Sequence, residues 1–268
     1  MLAFPNAKIN IGLNVTRKRS DGFHDILSCF YPVPWCDALE IIEGSEFKFI
    51  PSGNEIPGNA EDNICVKAYE LLREEYQLPP VHIHLHKVIP TGAGLGGGSS
   101  DGAFTLKLLN DKFELGLSQT QLESFAKKLG SDCPFFISNT PVIASGTGTD
   151  FEPIELPLSG FHLVLVNPGI HISTKEAYSK VTYSTPPTGL KSILSGKVST
   201  WKDVLINDFE RALFPDYPEI SQLKEKLYQM GALYASMTGS GSTVFGIFDG
   251  EQEDKFPGNY EVFQTRLD

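Results

Sequence analysis

The sequence is short of the features that mark several common functional classes. Its 268 residues include only four cysteines, Cys29, Cys36, Cys65 and Cys133, and no two of them form a CxxC pair. That argues against a zinc knuckle, and four scattered cysteines in a chain of this length read as buried thiols rather than a disulfide frame. Basic side chains are in the minority: 22 Lys and Arg stand against 33 Asp and Glu, a formal net charge of -11. Nucleic acids and anionic membranes both select a basic face, so neither is expected as a partner. The same deficit leaves a nucleotide open as a ligand, because phosphates need only local positive charge and backbone N–H groups. No stretch approaches the roughly 20 apolar residues of a membrane span. Residues Met1 to Lys8 hold no apolar run of signal-peptide length. A cytoplasmic protein is expected.

What is present is ordinary in bulk: 41% hydrophobic and 21% charged residues, enough chain for one large globular domain or two of common size. Residues 8–16 alternate, with Ile9, Ile11, Leu13 and Val15 on one face and Lys8, Asn10 and Asn14 on the other. That pattern predicts a half-buried strand on which Lys8 and Asn10 point the same way. Asn63 is placed to cap a helix over 63–76 carrying Ile64, Ala68, Leu71 and Leu72. Residues 81–89 predict a second strand, with His82, His84 and His86 on the face opposite Val81, Ile83 and Leu85. Three histidines in a row could bind a metal or form the solvent face; no further ligand is identifiable, which favours the solvent face. Ser118 and Gln121 form a capping box for a helix over 118–129 that stops at Gly130. Pro153, Pro157 and Gly160 mark a boundary, giving expected domains 1–155 and 156–268. Beyond it the pattern predicts a strand over 161–166, a turn at 167–169 and a polar loop over 186–199. A helix over 219–230 then ends at Gly231, and two strands, 233–237 and 243–248, flank the glycine turn Thr238-Gly-Ser-Gly-Ser242.

The densest signal is Pro90-Thr-Gly-Ala-Gly-Leu-Gly-Gly-Gly-Ser-Ser-Asp101, between the strand and an apolar run of helical spacing, Phe104, Leu108 and Leu109. Glycines let backbone N–H groups converge on a phosphate without Cβ clashes, and the positive end of the following helix adds attraction. Five glycines among residues 92–98 are more than a turn requires. Gly92-x-Gly94-x-x-Gly97 matches the dinucleotide fingerprint in letters, but residues 113–130 lead into another helix rather than the second strand that fingerprint needs. A Walker A loop would continue Gly-Lys-Ser/Thr, which does not follow these glycines. The HRD and DFG triplets of protein kinases do not occur in the chain.

The loop resembles the phosphate loop of the GHMP kinases, the family that phosphorylates galactose, homoserine, mevalonate and phosphomevalonate. Ala7-Lys-Ile-Asn10 is similar to the family's first motif and Thr238-Gly-Ser-Gly-Ser-Thr-Val-Phe245 to its third, so the three lie in order along nearly the whole chain. Arg19-Ser-Asp-Gly-Phe-His24 and Leu129-Gly-Ser-Asp132 narrow the resemblance to family members acting on a cytidine diphosphate ester of methylerythritol.

The resemblance implies an α+β fold of two domains, with the active site in the cleft between them. It implies ATP-dependent phosphorylation of the tertiary 2-hydroxyl of the methylerythritol moiety, with magnesium expected alongside ATP and its protein ligands unknown. Asp101 is a candidate ligand that is equally explained as a first-turn helix acid. By the same resemblance Asp132 is the catalytic base and Lys8 lies beside it. The chemistry is coherent: a carboxylate can take the proton of an attacking alcohol, and a lysine between them stabilises developing negative charge. Asp132 alone could also be a helix N-terminal acid. A loose phosphoryl transfer requires little more than positioning.

For the substrate, the resemblance implies Asn10, Phe23, His24, Thr174 and Tyr178, with cytosine stacked between Phe23 and Tyr178 and its edge read by His24. The first aromatic is often tyrosine in this family, and Phe23 lacks that hydroxyl. For ATP it implies adenine near Asn63 and Ile64, Lys87 at the nucleotide, and phosphates on Gly92, Gly94, Leu95, Gly96, Gly97, Gly98, Ser99 and Ser100. Two rivals are a GHMP kinase of mevalonate or homoserine type and a non-catalytic nucleotide-binding protein. The first leaves Phe23, His24 and Tyr178 without purpose; intact Lys8 and Asp132 weigh against the second.

Overall fold

The structure, a computed structural model, describes residues 1–253 and 255–267. In chain order its strands are β1 (Leu2–Ala3), β2 (Asn6–Lys18), β3 (His24–Cys36), β4 (Ala38–Glu43), β5 (Lys48–Gly53), β6 (Val81–Lys87), β7 (Val142–Ser145), β8 (Asp150–Pro153), β9 (His162–Asn167), β10 (Tyr234–Met237), β11 (Val244–Phe248) and β12 (Glu261–Arg266). Its α-helices are α1 (Ile64–Tyr76), α2 (Gly97–Lys112), α3 (Gln119–Leu129), α4 (Phe135–Ser138), α5 (Thr174–Lys180), α6 (Leu190–Leu194), α7 (Asp208–Leu213) and α8 (Pro218–Gln229). The fold class is the expected α+β. The chain divides into two compact units that are not sequential: Met1–Lys8, Pro32–Thr91 and Gly96–Thr140 form the first, and Ile9–Tyr31, Gly92–Leu95 and Pro141–Asp268 the second.

The first unit holds a sheet of order β1-β4-β6-β5, with β6 antiparallel to β4 and parallel to β5. The alternation of β6 is realised: Val81, Ile83, Leu85 and Lys87 are buried, while His82, His84 and His86 are half-buried or exposed on the other side. Asn63 caps α1 by accepting from the Cys65 N–H at 2.9 Å. Cys65, Ala68 and Leu72 on the inner stripe of α1 are fully buried. α2 packs on α1 where residue 102 is glycine; a Cβ there would lie 2.8 Å from Ile64. The Ser118–Gln121 capping box opens α3, and Gly130 closes it.

The second unit holds a sheet of order β10-β11-β9-β12, antiparallel throughout, in which Val164, Leu165, Val166, Phe245 and Ile247 are fully buried. A further sheet has order β2-β3-β7-β8. All four cysteines are free thiols.

Two local expectations need correction. The strand predicted as half-buried over 8–16 is β2, buried on both faces from Asn6 to Val15. Its polar face can be buried because the side chains there are partnered: Lys8 by Asp132, Asn10 by Ser28 and Asn14 by Ser184. The stretch 186–199, predicted to be loop throughout, contains the short helix α6, which buries Leu190 and Leu194 at its two ends.

Candidate active site

In the first unit, three stretches remote in sequence meet around Lys8. Its Nζ lies 3.4 Å from Asp132 Oδ2, with the lysine side chain almost wholly buried and the aspartate about one-third exposed, 5% against 33%. The lysine stem passes the phosphate loop: a Cβ on Gly96 would stand 3.1 Å from Lys8 Cγ and from the Phe136 ring. Asp132 sits in the turn between α3 and α4, where the Cys133 N–H donates to the Gly130 carbonyl at 3.3 Å. The helix that follows is a single turn capped at Pro134, so Asp132 is set by Lys8 rather than by a helix it caps.

The glycines have the backbone the loop demands. Gly92, Gly94 and Gly96 adopt φ of +67°, +78° and +69°, the left-handed region that L side chains avoid. Gly96 precedes α2 without a side-chain cap, and no acid stands in the first turn up to Ser100, so the helix N–H groups remain for an external anion. A Cβ on Gly98 would meet nothing within 4 Å, whereas one on Gly97 would lie 3.0 Å from Ile89 and 3.3 Å from Lys87 Nζ. Ser100 Oγ is buried without a hydrogen-bond partner, and Ser99 stands half-buried before it.

Lys87 is 4% exposed, and its ammonium is held between the carboxylates of Asp37 and Asp101, the latter at 2.8 Å. Burial would lower the Lys87 pKa, but Asp101 and Asp37 outweigh it and hold the group charged. One ammonium cannot balance two buried carboxylates equally, and desolvation pushes Asp101 up to about 8. Asp101 is therefore committed to Lys87, with Oδ1 buried and unpartnered. Among the described residues no group of three or more His, Cys, Asp or Glu could hold a metal. Asn63 spends its side-chain oxygen on the α1 cap, and Ile64 packs on Gly102.

In the second unit, Asn10 is 1% exposed and works as a strut. Its N–H donates to Thr238 Oγ1 at 3.0 Å and its Nδ2 to Ser28 Oγ at 2.9 Å. The Thr238 hydroxyl donates to the Gly94 carbonyl at 3.1 Å. A Cβ on Gly94 would fall 2.1 Å from the Thr238 carbonyl oxygen, so only glycine permits this approach. Leu95 next to it is buried, and Gly92 stands against His171, 3.1 Å from where its Cβ would be.

His24 opens β3 and stacks on Tyr178 of α5, ring centroids 4.6 Å apart and planes at 26°. Tyr178 in turn packs edge-on against Phe209 at 4.9 Å. Burial, with Lys18 nearby, lowers the His24 pKa, leaving a neutral ring with one donor and one acceptor. Phe23 is 62% exposed, turned to solvent beside this pair. Thr174 is the exposed first residue of α5, after the cap Ser173.

Three residues of these clusters gave no signal in the sequence. Asp37 is a single polar position between two apolar strands. Ser28 and Tyr183 stand in stretches without a distinctive period. Tyr183 places its half-exposed ring 6.0 Å from His24.

Residues 63–140 match the GHMP kinases N terminal domain and residues 194–256 the GHMP kinases C terminal. A 4-diphosphocytidyl-2-C-methyl-D-erythritol kinase of Cytophaga hutchinsonii is 56% identical over 94% of both chains. One of Bacteroides thetaiotaomicron is 51% identical over the full length of both. A crystal structure of 4-(cytidine 5'-diphospho)-2C-methyl-D-erythritol kinase superposes with a TM-score of 0.81 at 31% identity, covering 93% of this chain and 91% of that one. With both family models and these relatives in agreement, the chain belongs to the GHMP kinases and, among them, to the 4-diphosphocytidyl-2-C-methyl-D-erythritol kinase family.

Proposed function

We infer that this small-molecule kinase transfers the γ-phosphoryl group of ATP to the 2-hydroxyl of 4-diphosphocytidyl-2-C-methyl-D-erythritol, a step of the non-mevalonate route to isoprenoid precursors. The observation that carries the reading is the approach of Lys8 Nζ to within 3.4 Å of Asp132, with the lysine stem against Gly96 of the loop. A tertiary alcohol is a weak nucleophile at neutral pH. As its oxygen bonds to the γ-phosphorus, the bond from that phosphorus to the β,γ-bridging oxygen breaks and ADP leaves. The alcohol proton passes to Asp132. Lys8 offsets the negative charge gathering between carboxylate, entering oxygen and phosphoryl group.

The phosphates of ATP lie on the N–H groups from Gly92 to Ser100, with Ser99 and Ser100 supplying hydroxyls, and adenine lies by Asn63 and Ile64. Lys87 acts at the nucleotide from beneath the start of α2. Magnesium bound with ATP would offset polyphosphate charge; among the described residues no group of three or more His, Cys, Asp or Glu could hold a metal. The cytosine end is read by His24 and stacked by Tyr178 and Phe23, with Thr174 at the substrate and the buried Asn10 bracing β2 against Thr238 and Ser28. The His24–Tyr178 arrangement has no task in a mevalonate or homoserine kinase. The substrate is a soluble small molecule, and a cytoplasmic setting suits it; no helix among the described residues is long and apolar enough to cross a membrane.

The test is product identification. Incubation with ATP, magnesium and the cytidylylated methylerythritol yields ADP and a product carrying a new phosphomonoester at C2, seen by phosphorus NMR. Recovery of ADP and inorganic phosphate without that ester overturns the reading.

A further inference from the structure

The buried charge cluster behind the phosphate loop carries an inference that rests on the kinase reading. Asp37, between β3 and β4, is 1% exposed. Its Oδ1 accepts from the backbone N–H groups of both Val88, at 2.6 Å, and Ile89, at 2.9 Å. Its Oδ2 takes the ammonium of Lys87, which also reaches Asp101 Oδ2 at 2.8 Å in the first turns of α2. One carboxylate therefore grips the chain on both sides of the glycines: directly at residues 88–89, and through Lys87 at residue 101.

The cluster is an unusual place for a cation. Lys87 Nζ lies 3.3 Å from where a Cβ on Gly97 would be, beneath the start of a helix whose N-terminus is already positive. Burying three ionisable groups is costly, and an apolar cluster of the same volume would commonly be as stable or more so. What an apolar cluster could not do is fix two backbone N–H groups and a helix turn at once. Two polar atoms, Asp101 Oδ1 of the cluster and Ser100 Oγ next to it in the chain, are buried without partners, directly after the glycines of the loop.

We propose that Asp37 is a positioning residue for ATP, holding both ends of the phosphate loop so that its N–H groups are preset for the polyphosphate. Asp37→Asn keeps an oxygen acceptor for Val88 and Ile89 but gives up the charge on Lys87. Asp37→Ala gives up both. Steady-state kinetics with each substrate varied separates the roles. KM for ATP rises by about 10-fold in Asp37→Asn and by about 100-fold in Asp37→Ala. KM for the cytidylylated alcohol stays within about twofold and kcat falls less than KM for ATP rises. The graded, partial rescue by asparagine is the mark of positioning. Equal rises in both KM values, or a lowered Tm with unchanged KM for ATP, overturn the proposal. If neither Asp37 variant folds, Asp101→Ala releases only the α2 side: a selective rise in KM for ATP supports the proposal, and an unchanged KM overturns it. Wild-type turnover is measured first. Should the cytidylylated alcohol not be a substrate, the functional reading fails by itself, and calorimetric affinity for ADP in the same variants decides the role of Asp37.

Discussion

Lys8 and Asp132 lie far apart in the chain and owe their meeting to different devices. Strand alternation aims Lys8, and a turn closed by Gly130 presents Asp132. Asp132→Asn leaves an isosteric group at 3.4 Å from the lysine, so it should fold and bind both substrates while kcat drops about 10²- to 10⁴-fold. Near wild-type turnover in a single-turnover assay would remove Asp132 from the base role. Lys8→Met keeps the stem against Gly96 and should depress kcat more than it raises KM for ATP; a pure KM effect would reassign Lys8 to the phosphates.

The His24–Tyr178 pair leads to a different prediction. His24 rests on Tyr178, so Tyr178→Ala removes both a face proposed to stack cytosine and the support of the ring proposed to read its edge. Preference for the cytidine over the uridine form of the substrate, worth about 10-fold or more per mismatched hydrogen bond, should vanish in His24→Ala and shrink in Tyr178→Ala. Comparison of kcat/KM for both forms decides this; full discrimination in His24→Ala would acquit the imidazole. At this scale motif-borne residues were legible, whereas Asp37 and Tyr183 were not. A lone acid between strands and a lone aromatic in a loop carry no period, and only the folded chain gives them neighbours.

Among the elements, the phosphate loop divides its glycines by function. Gly96, at φ +69° and against Lys8 and Phe136, and Gly97, against Ile89, are required by the protein's own packing. Gly98 faces open space. Gly98→Val should therefore keep its Tm and its affinity for the cytidine substrate yet lose ATP in calorimetry, whereas Gly96→Val should lower Tm. Unimpaired ATP binding by Gly98→Val would deny that the phosphates pass over this face.

The start of α2 also sets a pH dependence. The folded Asp101 pKa stands near 8 against an ordinary value of 3.8. Between those values the native state keeps a proton that the unfolded state releases, so stability falls as pH rises through that window. Asp101→Asn should flatten the fall of Tm with rising pH, and an unchanged slope in thermal melts contradicts the shift. Helix caps at Asn63 and Ser118 and the alternation of β6 were readable because each is a local device with a fixed spacing. α6 was not: one turn supported by Leu190 and Leu194 has too short a period to stand out from its polar surroundings.

Over the whole molecule, an α+β class and a family signature spread along the chain were legible because the three motifs, two of them glycine-bearing, are local and ordered. The route of the backbone was not. The chain passes from the first unit to the second inside β2, between Lys8 and Ile9, and again around residues 92–95, where alternation and glycine content give no sign of a crossing. The net charge of -11 belongs to the molecule as a whole; with Lys87 held between Asp37 and Asp101, backbone N–H groups and Lys8 are the local positive groups at the proposed phosphate loop. Binding of ATP should accordingly depend only weakly on salt, unlike a polyanion held by a basic surface.

The most direct measurement is kcat/KM for ADP release with four acceptors offered separately: the cytidylylated methylerythritol, methylerythritol phosphate without the nucleotide, mevalonate and homoserine. Turnover is expected with the first and at least about 10³-fold less with each of the others, because polar groups proposed to read the base would go unpaired without it. Comparable turnover of mevalonate, homoserine or the nucleotide-free phosphate would contradict it.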